Sequence, residues 1–123
     1  MLVCTRGSLL PDPEHDEITS IIYNFKSEGD DSDLMPASRT GVIMLRPERF
    51  HPHRLALPCD DVFVFDTELE VLMTLADIVR ELDPEILAGY EIHNSSWGYI
   101  IERAAKHFGE KTSPCASLPM DCC

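Results

Sequence analysis

The chain has 123 residues, of which 10 are Lys or Arg and 22 are Asp or Glu, so its formal net charge is −12 at pH 7. This length allows one domain with a hydrophobic core, and a hydrophobic content of 44% is ordinary for a globular protein. Nucleic acids attract Lys and Arg through their phosphates. The acidic balance therefore predicts weak or no DNA binding by this chain on its own.

The cysteine pattern argues against a zinc site or a disulfide framework. The five cysteines are Cys4, Cys59, Cys115, Cys122 and Cys123, an odd number with uneven spacing. Structural zinc sites need Cys or His at short paired spacings such as Cys-x-x-Cys, and His51 and His53 have no such partners, so we assign them to a solvent-exposed loop. With neither a signal peptide nor an apolar run of membrane length, we expect a reducing intracellular compartment and no membrane partner.

The first half of the chain predicts strands separated by loops. Residues 1–5 are a short apolar strand, and residues 10–16 are a turn in which Pro11 and Pro13 exclude regular helix. Residues 18–25, rich in β-branched and aromatic side chains, predict a core strand. We interpret residues 27–60 as a variable, loop-rich insertion that is acidic over 27–39, includes a strand at 41–45 and is irregular over 46–59.

The second half alternates strands and helices. Residues 62–65 predict a strand, and Thr67 to Glu70 form a capping box that opens an amphipathic helix ending at Leu82, before Asp83-Pro84. Residues 86–90 predict a strand buried on both faces, followed by a turn over 91–95. A second helix is predicted from Ser96 to His107, ending at Gly109. We interpret Met73 and Trp97 as packing residues.

The segment after the first helix carries a recognisable motif. Gly89, Tyr90, Ile92, Asn94, Tyr99, Arg103 and Ala104 fit, without a gap, the second exonuclease motif of family B DNA polymerases, which this segment resembles. In that motif Gly-Tyr-Asn is followed after two residues by Asn-Phe-Asp and a helix. Glu91 stands where the family has Asn, Ser95 where it has Phe, and Ser96 where it has the metal-binding Asp.

A second match lies near the start of the chain. Thr5-Arg6-Gly7 and the following stretch from Leu10 to Ile18 resemble the segment after the family's first exonuclease motif. Both matches, including Gly-Tyr-Glu-Ile and Ser-Trp-Gly-Tyr over 89–99, are similar to the polymerase zeta group of family B. The resemblance implies an α/β fold over 1–109: a partial ribonuclease-H-like, 3′–5′ exonuclease-like domain with a mixed sheet and flanking helices. Residues 110–123 are interpreted as a divergent tail, truncated or non-native.

The substitution at position 96 bears directly on chemistry. Exonucleases of this type hold two divalent cations about 4 Å apart, and hard cations such as Mg²⁺ require converging carboxylates. Ser96 offers a neutral hydroxyl, so we predict no catalytic residue and no metal ligand in this chain. Gly89, Tyr90, Glu91, Ser95, Ser96, Trp97 and Tyr99 are then vestigial motif positions. Glu91 is the alternative ligand, although it precedes the helix by five positions in the sequence.

Helix capping is the structural interpretation of Ser95 and Ser96, because Ser is favoured at helix N-termini. Under this interpretation Ser96→Asp should be mildly favourable for folding, by about 0.3–1 kcal/mol, since the carboxylate would face the positive end of the helix dipole.

The resemblance also implies a setting for the domain. The parent would be a nuclear DNA-directed DNA polymerase that copies past lesions, with Mg²⁺ and an iron–sulfur cluster as its cofactors. DNA and accessory polymerase subunits would be its partners, and this domain would contribute no catalysis. Two alternatives stay open at this point: an active 3′–5′ exonuclease domain, and a small acidic interaction module unrelated to polymerases.

Overall fold

The computed structural model describes residues 1–3, 5, 7–28, 38–46 and 58–109. These residues form a four-stranded mixed sheet with two helices, an α/β architecture. The strands, in chain order, are β1 (Leu2–Val3), β2 (Ile18–Lys26), β3 (Ser38–Leu45) and β4 (Asp61–Phe65). The helices are α1 (Glu68–Leu82) and α2 (Trp97–Phe108).

The sheet follows chain order. β1 and β3 both run antiparallel to β2, and β4 runs parallel to β3 with Val42 opposite Val62. The β3–β4 pair is reinforced at one end by Asp61, which accepts hydrogen bonds from Arg39 Nη2 at 2.7 Å and from the Tyr23 hydroxyl at 3.2 Å. The Arg39 guanidinium lowers the pKa of Asp61, whereas burial raises the pKa of Tyr23 to about 12.

The helices cover one face of the sheet and form the core with it. The buried apolar residues of this core are Ile18, Ile21, Ile43, Val71, Leu72, Leu75, Tyr99, Ile100 and Ala104. Side chains alternate along a strand, so Ile22, Val42 and Val62, which are paired with one another, point to the face opposite Ile21 and Ile43. On that opposite face Ile22, Val62 and Val64 are 58%, 48% and 42% exposed, next to the buried Val42. Among the described residues, the sheet face opposite the helices is therefore apolar and partly exposed.

Helix α1 begins and ends as its sequence predicts. The Thr67 side chain accepts a hydrogen bond from the Glu70 backbone N–H while the Glu70 carboxylate accepts one from the Thr67 N–H, which is the reciprocal pattern of a capping box. At the other end Asp83 has a left-handed φ of 43° and donates its N–H to the Val79 carbonyl. The capping prediction is confirmed. Neither helix in the described part of the chain is long and apolar enough to cross a membrane.

One predicted strand is wrong. Residues 86–90 are not a strand: Ile86 is 82% exposed and Tyr90 87% exposed, whereas the prediction buried both. A continuous apolar run predicts a buried strand only where a neighbouring strand supplies its hydrogen bonds, and in the described residues no strand pairs with this segment. Strand β3 also begins three residues earlier than predicted, at Ser38.

Several other expectations concern residues outside the described part. These include most of the acidic segment of the insertion, His51 and His53, and the tail over 110–123. The division at residue 109 stays a prediction.

Candidate functional site

The turn before α2 holds the residues that would carry exonuclease chemistry. Glu91 has a left-handed φ of 47°, and its carbonyl accepts hydrogen bonds from Asn94 N at 3.2 Å and Ser95 N at 3.0 Å. The left-handed region is favourable for Gly and Asn and strained for most other residues. This conformation gives a physical reason for an Asn at this position of the family motif, and it makes Glu91 a strained substitute.

Ser95 and Ser96 do not cap the helix. Ser96 occupies the N-cap position, but its side chain makes no capping hydrogen bond, and its Oγ is buried without a hydrogen-bond partner. The Ser95 hydroxyl instead donates to Glu91 Oε2 at 3.2 Å. The capping interpretation is wrong because the backbone of Ser96, with φ −139° and ψ −113°, does not direct its hydroxyl to the free N–H groups of α2.

The Ser96 hydroxyl is enclosed by the preceding segment. A Cβ added to Gly89 would overlap Ser96 Oγ and would lie 3.3 Å from Trp97 Cδ1. The Trp97 indole N–H donates to the Ala88 carbonyl at 3.1 Å, and Trp97 packs against the core. The packing interpretation of Trp97 agrees with these contacts. Position 96 is thus enclosed between a residue without a side chain and an indole ring.

Gly98 fixes the start of α2 against the turn. Its N–H donates to the Ile92 carbonyl at 2.6 Å, and an added Cβ would overlap the His93 carbonyl. No side chain fits at this position without a shift of the backbone. The sequence Trp97-Gly98 therefore joins a large ring that packs on the core to a residue that lets the turn approach the helix.

Helix α2 binds the proline-rich loop that contains the other motif match. Three side chains at successive turns of α2 contact backbone carbonyls of this loop. The Tyr99 hydroxyl donates to the Asp16 carbonyl at 2.8 Å, and Arg103 Nη1 donates to the Pro13 carbonyl at 3.1 Å. His107 Nε2 lies 2.8 Å from the Glu14 carbonyl. The two matches, distant in the sequence, are therefore in direct contact.

A buried ion pair completes this contact. Arg103 Nη2 donates to Glu68 Oε2 at 2.9 Å and Arg103 Nε to Glu68 Oε1 at 3.0 Å, with both side chains at least nine-tenths buried. Glu68 Oε1 also accepts the backbone N–H of Ile18 at 2.8 Å, so the first turn of α1, the start of β2 and α2 share one carboxylate. Tyr99 is 1% exposed, and its burial raises its pKa to about 12.

Sequence patterns alone do not predict this pair. In the sequence Arg103 is a position of the family motif, and Glu68 lies within the capping segment 67–70. A signal was nevertheless present, since Arg103 lies four residues after Tyr99 and three after Ile100, on the apolar face of α2. A long cation on such a face predicts a buried acidic partner.

The acidic loop contains the only group of three candidate metal-ligating side chains in the part of the chain that the structure describes. Asp12, Glu14 and His15 place one ligand atom each within 4.8 Å of one another. The Asp12 carboxylate accepts the Glu14 N–H at 2.9 Å and contacts His15 Nδ1 at 2.9 Å, which are the contacts of a tight turn. None of the three belongs to the motif segment at 89–99.

Comparison with known proteins identifies the domain. The family model of the exonuclease domain of family B DNA polymerases matches residues 2–119. This chain belongs to that family. The matched stretch continues ten residues past Gly109 and includes residues 27–60, the variable, loop-rich insertion.

Individual relatives define the group more closely. The DNA polymerase zeta catalytic subunit of Schizosaccharomyces pombe is 35% identical over 109 residues, which are 88% of this chain and 7% of that protein. The subunit of the same name from Saccharomyces cerevisiae is 38% identical over 106 residues, 83% of this chain and 7% of the relative. A DNA polymerase delta catalytic subunit of Glycine max is 32% identical over 104 residues, which are 80% of this chain and 8% of that protein. The chain therefore has the exonuclease-like domain of a polymerase zeta catalytic subunit homologue and spans less than a tenth of these relatives' length.

The residues at the motif position do not suit the Mg²⁺ ions that the family implies. Ser96 is neutral and enclosed, whereas the Glu91 carboxylate is exposed and accepts a hydrogen bond from Ser95. Neither belongs to a group of three potential ligands among the described residues. Hard divalent cations need several oxygen ligands, mostly carboxylates, around one point. Among the described residues, no such set of ligands converges at position 96.

Proposed function

We propose that this chain is a noncatalytic exonuclease-like domain of a translesion DNA polymerase. The observation that carries the proposal is Ser96, which places a buried, neutral hydroxyl where the family motif has a metal-binding carboxylate. Without that carboxylate, two cations cannot be held in position to activate water and stabilise a leaving oxygen. The domain then contributes shape to the polymerase and does not remove nucleotides.

The packing of the domain supports an architectural role. The contacts that join α2 to the loop at 12–16 use a buried ion pair and a buried tyrosine, and none of them needs a metal or a substrate. A family fold can therefore persist after its chemistry is lost, because packing residues and ligand residues are different side chains. In the proposed parent, this fold would help to shape the path of template and primer.

DNA and accessory subunits would be contacted through the parent polymerase. The net charge of −12 opposes direct binding of phosphates by this domain. The apolar face of the sheet, with Ile22, Val62 and Val64 exposed, is the kind of surface that packs against further protein. In this proposal the parent acts in the nucleus, and Mg²⁺ and an iron–sulfur cluster belong to its other domains.

A nuclease assay tests the proposal. The purified chain is incubated with a single-stranded oligonucleotide labelled at its 5′ end, with millimolar Mg²⁺ or Mn²⁺, and shortening from the 3′ end is followed. We expect no metal-dependent shortening and no nucleotide incorporation on a primed template. Metal-dependent digestion that Glu91→Gln abolishes would overturn the proposal and establish the active exonuclease, with Glu91 as the replacement ligand. The matched control Glu85→Gln removes an exposed carboxylate outside the turn.

A further inference from the structure

The enclosure of Ser96 has a consequence beyond the loss of one ligand. We infer that the vacated metal position has been closed by packing: Gly89, Ser96 and Trp97 form a compact unit in which position 96 no longer accepts a carboxylate. This inference rests on the proposed function and deepens it. It predicts that exonuclease chemistry cannot be restored from position 96, even if other ligands were supplied.

The first argument is steric. Ser96 Oγ lies so close to Gly89 that even one added carbon atom on Gly89 would overlap it. Asp extends one carboxyl group beyond its Cβ where Ser has a single oxygen, so Ser96→Asp needs space on the side that Gly89 occupies. Gly89 already has no side chain to give way. In the direction of the Ser96 hydroxyl, the added atoms would press on the backbone of Gly89, whose neighbour Ala88 accepts the Trp97 indole N–H at 3.1 Å.

The second argument is electrostatic. The Ser96 hydroxyl is buried and has no hydrogen-bond partner, so a carboxylate in the same direction would also lie away from the free N–H groups of α2. Burying an unpaired charge is far more costly than burying a hydroxyl. The favourable field at the start of α2 is weak by comparison. The structure therefore reverses the sign expected from the sequence for Ser96→Asp, from mildly stabilising to destabilising.

Three variants of the full 123-residue chain separate these effects by thermal melting. Ser96→Ala removes only the unpartnered hydroxyl, so its melting temperature should be unchanged or slightly higher. Asn94→Asp adds the same charge at an exposed position of the same turn and should shift melting by less than about 2 °C. Ser96→Asp should melt about 10 °C lower, a shift that corresponds to a loss of about 2–3 kcal/mol for a domain of this size.

The addition of millimolar Mn²⁺ completes the test. The melting temperature of Ser96→Asp should not rise with Mn²⁺. A variant as stable as Asn94→Asp, or one that Mn²⁺ stabilises by several degrees, would overturn the inference, because the position would then accept both a carboxylate and an ion. If Ser96→Asp does not fold, the melting temperature of Ser96→Ala tests the inference. A decrease of more than about 4 °C would overturn it, because the hydroxyl would then make a stabilising hydrogen bond.

The two proposals fail in different ways. Digestion by the unmodified chain would refute the noncatalytic role without touching the packing inference, which depends on the melting of the variants. An inactive chain combined with a stable, Mn²⁺-responsive Ser96→Asp would refute the packing inference and leave the noncatalytic role standing.

Discussion

The two halves of the motif segment differ sharply in burial. In residues 86–95 the side chains of Ile86, Tyr90 and Glu91 are exposed, whereas Tyr99 and Arg103 in α2 are almost fully buried and hydrogen-bonded. The first half includes the turn that would present ligands, and the second half binds the rest of the domain. The difference teaches that the buried polar contacts of this segment are made by α2, while the turn before it is mostly exposed.

The largest effect should come from breaking the buried ion pair. Arg103→Met leaves Glu68 as an unpaired buried carboxylate and removes the hydrogen bond to the Pro13 carbonyl, so the free energy of unfolding should fall by about 3–5 kcal/mol. Urea denaturation followed by circular dichroism measures the change. Substituting Lys106, whose pair with Glu102 is on the exposed face of the same helix, by Met should produce no measurable loss.

A double variant sharpens this result. Glu68→Met combined with Arg103→Met removes both charges, so it should be more stable than Arg103→Met alone. A double variant as unstable as the sum of the two single changes would show that the charges contribute independently, and that the pair does not couple α1 to α2.

A smaller effect is expected at Tyr99. Tyr99→Phe keeps the ring but leaves the Asp16 carbonyl without its donor, which should cost about 1–2 kcal/mol. The pKa of Tyr99 is raised to about 12 in the folded state from an ordinary value of 10.0, so the protonated phenol stabilises the fold fully below pH 10. That contribution is lost as the pH rises from 10 towards 12.

Melting curves between pH 9 and pH 12 measure the alkaline part of this prediction. The unmodified chain should lose more stability over this interval than Tyr99→Phe, because the variant lacks one phenol with a raised pKa. Tyr23, whose pKa burial also raises to about 12, should account for part of the loss that remains. Equal losses in both proteins would contradict the assignment to Tyr99.

The smallest effect concerns the exposed half. Glu91→Asn places a residue that tolerates the left-handed region at φ 47°, while the contact from the Ser95 hydroxyl is lost. We expect a net gain of about 0.5 kcal/mol in the free energy of unfolding. Thermal melting of Glu91→Asn is compared with that of Glu85→Asn, because Glu85 is also exposed but has no positive φ. A loss at position 91 would mean that the Ser95 contact outweighs the backbone strain.

Local patterns predicted much of the fold. The capping box at Thr67, the end of α1 near Asp83, the strands predicted at 18–25 and 62–65 and the start of α2 beside Ser96 agree with the structure to within a residue. Each of these features depends on residues that are near one another in the sequence. The strand predicted at 86–90 is wrong because strand formation depends on residues that are distant in the sequence. An apolar segment becomes a strand only when another segment pairs with it.

The candidate site divides in the same way. The sequence by itself determined that the family motif is present and that its metal-binding carboxylate is replaced by Ser96, because side-chain chemistry can be read without coordinates. Only the tertiary structure decided that Arg103 binds Glu68, that α2 binds the loop at 12–16, and that Ser96 is enclosed by Gly89 and Trp97. These contacts depend on the direction of each side chain and on the segments packed around it, which sequence patterns do not specify.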